Sequence, residues 1–136
     1  MEETLDALTA GWEKRPGASL AAIRDRERAL GISFPPDYVE FMLRSNGGCG
    51  DNGRMFIEID PIEGMAPGDA ALPYLPGLYR FGGDGAEEEF VFDARGDQVT
   101  IAMVRDSISE EDILWQGDTF TEFLANVPRY DRSRRQ

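Results

Sequence analysis

The chain has 136 residues, with an apolar share of 41% and a charged share of 29%, which fits one compact globular domain that buries about two thirds of its unfolded surface. Acidic residues outnumber basic ones 26 to 14 for a formal net charge of -12, and setting aside the end "RYDRSRRQ", with four arginines and one aspartate, leaves the body at -15. Such a charge repels nucleic acid and serves either encounter with a basic protein or simple solubility, while the absence of histidine and the single Cys49 exclude an internal disulfide, a multi-cysteine metal site and the usual histidine-centred catalytic arrangements.

At the start, Leu5, Leu8 and Trp12 fall at spacings of three and four, which predicts an amphipathic helix ended by Pro16 of "RPG". This opening is acidic where a signal peptide would be basic and then apolar. Apolar runs elsewhere are far shorter than the roughly 20 residues a membrane helix needs. The expectation is a cytoplasmic protein with no membrane partner.

A second helix runs from an N-cap at Ser19 along Leu20, Ile23, Glu27 and Leu30 to Gly31. Glu27 is a carboxylate on an apolar stripe. It reads as an edge residue hydrogen-bonded to a neighbouring helix start rather than as a catalytic acid. Pro35 and Pro36 then suit the entry and first turn of a third helix, Asp37 and Glu40 place negative charge at its positive end, and Tyr38, Phe41 and Met42 form its buried face. Asn46 and Gly47 suit the left-handed conformation that ends such a helix.

The next six residues, Gly48-Cys49-Gly50-Asp51-Asn52-Gly53, match G-x-G-x-x-G letter for letter. A dinucleotide loop follows a strand and opens a helix. Here a helix precedes the glycines and strand-like sequence follows, so the nucleotide reading is rejected. Cys49 reads as a small, partly covered thiol, because no histidine exists to activate it.

Four segments have strand character: "RMFIEI" (54–59), "GLYRF" (77–81), "EEFVFD" (88–93) and "QVTIAMV" (98–104). Between the first two lies a proline-rich loop with room for one helical turn. Between the last two, "ARGDQ" is short enough to close an antiparallel hairpin. The chain then predicts a helix over Thr119 to Val127, with Thr119 and Glu122 as a capping box and Phe120, Phe123, Leu124 and Val127 on its buried face. The fold class is α+β: N-terminal helices, an antiparallel β-sheet meander, and a C-terminal helix packed on the sheet. Residues 1–128 form the single domain and residues 129–136 a basic tail expected to be disordered.

In this order the residues resemble the SUKH superfamily, the domain shared by yeast cell-wall regulators of the Smi/Knr type and many bacterial immunity proteins. The resemblance is carried by Ile23, Glu27, Leu30 and Gly31, by Pro35, Asp37, Tyr38 and Phe41, by Asn46-Gly47-Gly48, and downstream by "YRFGGDGAEEEFVFD" and "TFTEFLANV", so that it spans most of residues 18 to 127. Phe34 stands where leucine is commoner, and the loop from Asp60 to Pro76 follows no recognised pattern. The resemblance implies binding rather than catalysis and no cofactor. Bacterial members neutralise a cognate toxin, often a nuclease, whereas fungal members act as scaffolds in cell-wall and stress signalling.

The densest acidic stretch, "GGDGAEEEFVFD", offers three readings: a solvated face, a partner surface, or a metal or acid–base site. Its spacing does not fit an EF-hand. Period-two alternation puts Phe90 and Phe92 on one face and Glu89, Val91 and Asp93 on the other, so that at least two acids face solvent. The expected partner-binding residues are Asp84, Glu87, Glu88 and Glu89, with Asp51, Asp60 and Glu63 beside them and Phe90 or Tyr79 as an apolar anchor. The expected partner is a basic protein, a toxin domain above all.

Overall fold

The computed structural model describes residues 4–70, 76–105 and 113–130. The first helix, α1 (Leu5–Leu8), is a single turn capped by the Thr4 hydroxyl, which accepts from the Ala7 amide. It stops short of the predicted end because the chain turns at Thr9 and extends into a two-residue edge strand, β1 (Glu13–Lys14). Trp12 is buried all the same, edge-on to Phe41.

Helix α2 (Leu20–Leu30) begins and ends as its sequence dictates: Ser19 Oγ accepts from Ala22 N at 3.1 Å, and Gly31 is left-handed with φ 76°. Ile23 and Leu30 are buried, while Leu20, at the overhanging start, is 47% exposed. Glu27 is the expected edge residue. Its Oε2 accepts from Phe34 N at 2.7 Å, just ahead of the third helix, and its Oε1 pairs with Arg24.

Helix α3 (Pro36–Arg44) buries Tyr38, Val39, Phe41 and Met42. Asp37 has a longer reach than its own helix start. One carboxylate oxygen accepts from Phe120 N at 3.1 Å, and the other accepts from Thr121 N at 2.7 Å and Thr121 Oγ1 at 2.8 Å, so the side chain caps the C-terminal helix across more than eighty residues of sequence. Of Asn46 and Gly47, the glycine alone is left-handed, with φ 86°. Asn46 instead accepts from Ile62 N and donates to Glu63, which pins the following loop.

The sheet contains β1, β2 (Gly48–Asp51), β3 (Phe56–Ile59), β4 (Leu78–Gly83), β5 (Glu88–Asp93), β6 (Thr100–Arg105) and β7 (Leu114–Gly117), ordered as in the sequence with every neighbour antiparallel. The G-x-G-x-x-G match is therefore a strand and the hairpin turn after it. Gly50 is required there because a Cβ would lie 2.1 Å from Trp12 Cδ1. In the turn, Asn52 accepts from Arg54 N and Met55 N and donates to the carbonyls of Leu124 and Val127, tying this hairpin to the end of the last helix. The long loop holds a 3-10 turn at Ile62–Met65 and α4 (Pro67–Ala70), one short element more than predicted.

Helix α5 (Phe120–Asn126) is capped by Thr119 Oγ1, which accepts from Glu122 N at 3.0 Å. The return bond of the capping box reaches one residue further back, from Asp118 N to Glu122 Oε1. Phe120, Phe123, Leu124 and Val127 are all buried. They join α2, α3 and one face of the sheet in a core centred on Tyr38, whose ring meets Phe92 at 4.8 Å, Phe34 at 5.1 Å and Phe120 at 5.4 Å in edge-on geometry.

A second, smaller cluster of Leu78, Val91, Ala102, Val104 and Ile113 lies on the other face of the sheet. It changes one expectation. Asp93, predicted to face solvent beside Val91, is 2% exposed, with its two carboxylate oxygens on Arg95 Nε and Nη2 at 2.9 and 2.8 Å. Burial of a carboxylate is tolerated because a forked guanidinium satisfies it.

Of the segment assigned to the tail, Arg129 is held by Gln116, which accepts from Arg129 N and donates to Arg129 O, and its guanidinium lies 4.8 Å from the Trp115 ring centre. Residues 131–136 lie outside the described residues. No helix among the described residues is long and apolar enough to cross a membrane.

Candidate functional site

The β4–β5 turn gathers most of the predicted acidic residues, and the structure gives each a different task. Asp84 is turned inward on its own backbone: its Oδ1 accepts from Ala86 N at 2.8 Å and from Glu88 N at 3.1 Å, while its amide donates to Glu88 O. It is the clamp of the turn, and Gly85 supplies the left-handed residue at φ 82°. Glu88 is mostly covered and accepts from Arg105 Nη2 at 2.7 Å, whereas Glu87 stands out in solvent 3.7 Å from the same guanidinium. Glu89 lies 3.7 Å from Arg80 Nε, and the far side of Arg80 meets Asp60 Oδ2 at 2.9 Å.

Asp60, Glu89, Glu88, Glu87 and Asp84 thus form one acidic end of the sheet, stitched by two arginines. Burial pushes the Asp60 carboxyl above its ordinary range, and Arg80 pulls it back. Asp51 joins from the neighbouring hairpin. It is exposed, accepts from Gly53 N, and stands in register with Phe56, whose ring borders Gly85. Glu63 is placed differently. It sits on the 3-10 turn beside Asn46, and hydrogen bonds from its own backbone and from the Asn46 amide hold its carboxyl below the usual range.

Of the two apolar anchors suggested by the sequence, Phe90 is fully buried and Tyr79 is half-buried against the core. The exposed ring beside the acidic turn is Phe56, at 44%. Alternation in "RMFIEI" carried that signal, because Ile57 and Ile59 point to the core and therefore send Phe56 and Glu58 to the other face. Arg80 and Arg105, which neutralise part of the acidic end, have no comparable local signature.

Chemically, this arrangement suits electrostatic recognition. Among the described residues no three His, Cys, Asp or Glu side chains are grouped to hold a metal ion. Cys49 lies 3.5 Å from Glu13 Oε1, and partial burial, together with that carboxylate, raises the thiol pKa, the reverse of what an activated nucleophile needs. An open groove of about 590 Å³ runs between the α2–α3 connection, the β5–β6 turn and the start of α5. Its two carboxylates are Asp97 and Asp118, and Asp118 already accepts from Trp115 Nε1.

A family model described as SMI1 / KNR4 family (SUKH-1) matches residues 17–126. No curated protein is significantly similar to the chain. The matched stretch runs from just before α2 to the last residue of α5, and so takes in the helical layer, β2 to β7 and the acidic turn between β4 and β5. The chain belongs to the SMI1/KNR4 (SUKH-1) family.

Proposed function

We propose that this is a non-enzymatic, acidic protein-binding domain acting as an immunity protein, which neutralises a cognate toxin, most plausibly a nuclease, by covering its substrate-binding surface in the cytoplasm. The observation that carries the reading is the acidic end built from Asp84, Glu87, Glu88, Glu89, Asp60 and Asp51. A nuclease holds phosphates with arginine and lysine. A surface of fixed carboxylates offers those side chains a competing set of partners and steers the encounter. Family membership supports the same class of role. A second reading, a scaffold or regulatory module of the Smi/Knr type without a toxin, draws on the family match alone.

Co-expression tests the first reading. A toxin domain encoded beside this gene should kill cells when expressed alone and be tolerated when this chain is present; undiminished killing refutes the assignment and leaves the scaffold reading. Replacing Glu87, Glu88 and Glu89 together by alanine should slow association with that toxin and flatten its salt dependence. The fold should survive, because Glu87 is exposed and the arginine that loses the more covered Glu88 is itself half exposed and stays solvated, so the melting temperature should fall modestly. Association and salt slope at wild-type values would place the interface elsewhere. The purified protein should also show no saturable ATP or NAD binding in calorimetry.

A further inference from the structure

The two faces of the sheet are covered unequally. Helices α2, α3 and α5 pack against one face along its length, and on the other face Leu78, Val91, Ala102 and Val104 are at most 2% exposed. On that same second face no described residue covers the β1–β3 half. The pairing register fixes which residues share it. Glu13 is opposite Cys49, Cys49 opposite Glu58, Glu58 opposite Gly83, and Gly83 opposite Glu89, so one row crosses five strands. The adjacent row holds Asp51 opposite Phe56. Glu13, Asp51, Phe56 and Glu58 are all exposed, and Gly83 contributes no side chain between Glu58 and Glu89. The result is a shallow surface with one large apolar ring inside a rim of carboxylates.

We infer that this open half-face, centred on Phe56 and rimmed by Glu13, Asp51, Glu58 and Glu89, is the docking surface for a protein partner that presents lysine or arginine around an apolar recess. The inference rests on the protein-binding reading above and adds to it the anchor and the half of the sheet that is used. Three observations favour that occupant. Phe56 is 44% exposed with its ring edge against the Gly85 turn, so the acidic end and the apolar ring form one continuous surface. Charge on the face is predominantly acidic: Arg80 is engaged by Asp60 and Glu89, and Arg15, beside Glu13 and Cys49, is outnumbered by Glu13, Asp51 and Glu58, which lie outside the Arg80 pairing. A second copy of this chain would bring like charges together, which opposes self-association through this face. Buried aromatic anchors carry binding energy, whereas rim charges set rate and specificity.

A synthetic leucine–lysine amphipathic helical peptide serves as the probe, with an oligolysine of equal charge as its control. Titrated into the isotopically labelled full chain, the amphipathic peptide should shift amide resonances of residues 49–51, 56–58 and 83–87. Phe56→Ser should weaken binding by about tenfold or more, and the control peptide should bind about as weakly to wild type as the amphipathic peptide binds to the variant. Glu13→Gln combined with Glu58→Gln should lower the on-rate and flatten the salt dependence; these side chains are exposed, so this variant decides the matter even if Phe56→Ser fails to fold. Shifts confined to the groove around residues 94–99 and 118–119, no shifts with wild type, or wild-type binding by both variants would overturn the inference. The toxin assignment is judged separately: protection by wild type that persists in both variants sinks this surface alone, whereas loss of protection by wild type sinks the assignment.

Discussion

Replacing Tyr38 by phenylalanine should stabilise the domain. The phenol is fully buried among Phe34, Phe81, Phe92 and Phe120, and its hydroxyl has no hydrogen-bond partner among the described residues. A buried hydroxyl left unsatisfied costs about 1–3 kcal/mol, while the ring contacts survive the substitution. A net gain of about 1 kcal/mol is expected, or about 3–4 °C in melting temperature at an unfolding entropy near 2.1 cal/mol/K per residue. The pH dependence supplies a second measurement. Burial, and then the Asp60 carboxylate, raise the Tyr38 pKa far above its ordinary value of 10.0. The folded state therefore keeps a proton that the unfolded state releases, and this contribution to stability is full below pH 10 and declines above it by about 1.4 kcal/mol per pH unit. Urea titrations of both proteins at pH 7 and across the alkaline range should show the advantage of Tyr38→Phe widening as pH rises. A loss of about 1 kcal/mol at pH 7 would refute the reasoning, because it would mean the hydroxyl has a partner.

Phe41→Ala, Phe120→Ala and Phe123→Ala should each cost about 3–5 kcal/mol in chemical denaturation, and an unchanged melt for both Phe41→Ala and Phe123→Ala would mean that the helix faces are misassigned. Asp37→Ala should cost about 2–4 kcal/mol by orphaning two amides at the start of α5, with Asp37→Asn less harmful because it keeps an acceptor; equal costs would show that charge, not hydrogen bonding, matters there. Cys49 should react with a chromogenic thiol reagent more slowly at pH 8 than the unfolded chain does, since its pKa is raised, and Glu13→Gln should speed the reaction. Equal rates in wild type and variant would remove Glu13 as a cause.

Elements whose signal is local were legible in the sequence. Ser19, Gly31 and Thr119 act within a few residues of their own helices, and the phenylalanine spacing from Phe120 to Val127 follows a single helical face. Strand β5 was read at its observed limits because its run of aromatic and β-branched residues is bounded by turn residues on both sides. What failed depends on partners distant in sequence. β2 has two glycines and no β-branched residue, and it is a strand because β1 and β3 flank it and Trp12 needs the space above Gly50. Asp37 reads as negative charge at the start of its own helix, and only the packing of α3 on α5 turns it to Phe120 and Thr121. The acidic stretch was visible as composition. Its division into a clamp, Asp84, and three glutamates paired with two arginines was not, because Arg80 and Arg105 come from neighbouring strands.

That division bears on how a strongly acidic domain can be both stable and selective. Glu27, Asp37, Asp84 and Glu122 each accept a backbone amide, so these carboxylates are spent on architecture and their removal would unsettle a helix start or a turn. Glu13, Glu58 and Glu87 are exposed, and substitution at such positions changes stability by about 0.5 kcal/mol or less, whereas the equally exposed Asp51 also holds the Gly53 amide of its turn. The two groups differ in what constrains them. Altering the first costs the fold, while altering the second changes the field a partner meets and little else. Phe56 belongs with the second group, since its ring is the part of β3 that the core does not use. On the binding role proposed above, the helical face is fixed by packing while the side chains around Phe56 can be exchanged at little cost to stability, so substitutions there should alter recognition before they alter the fold.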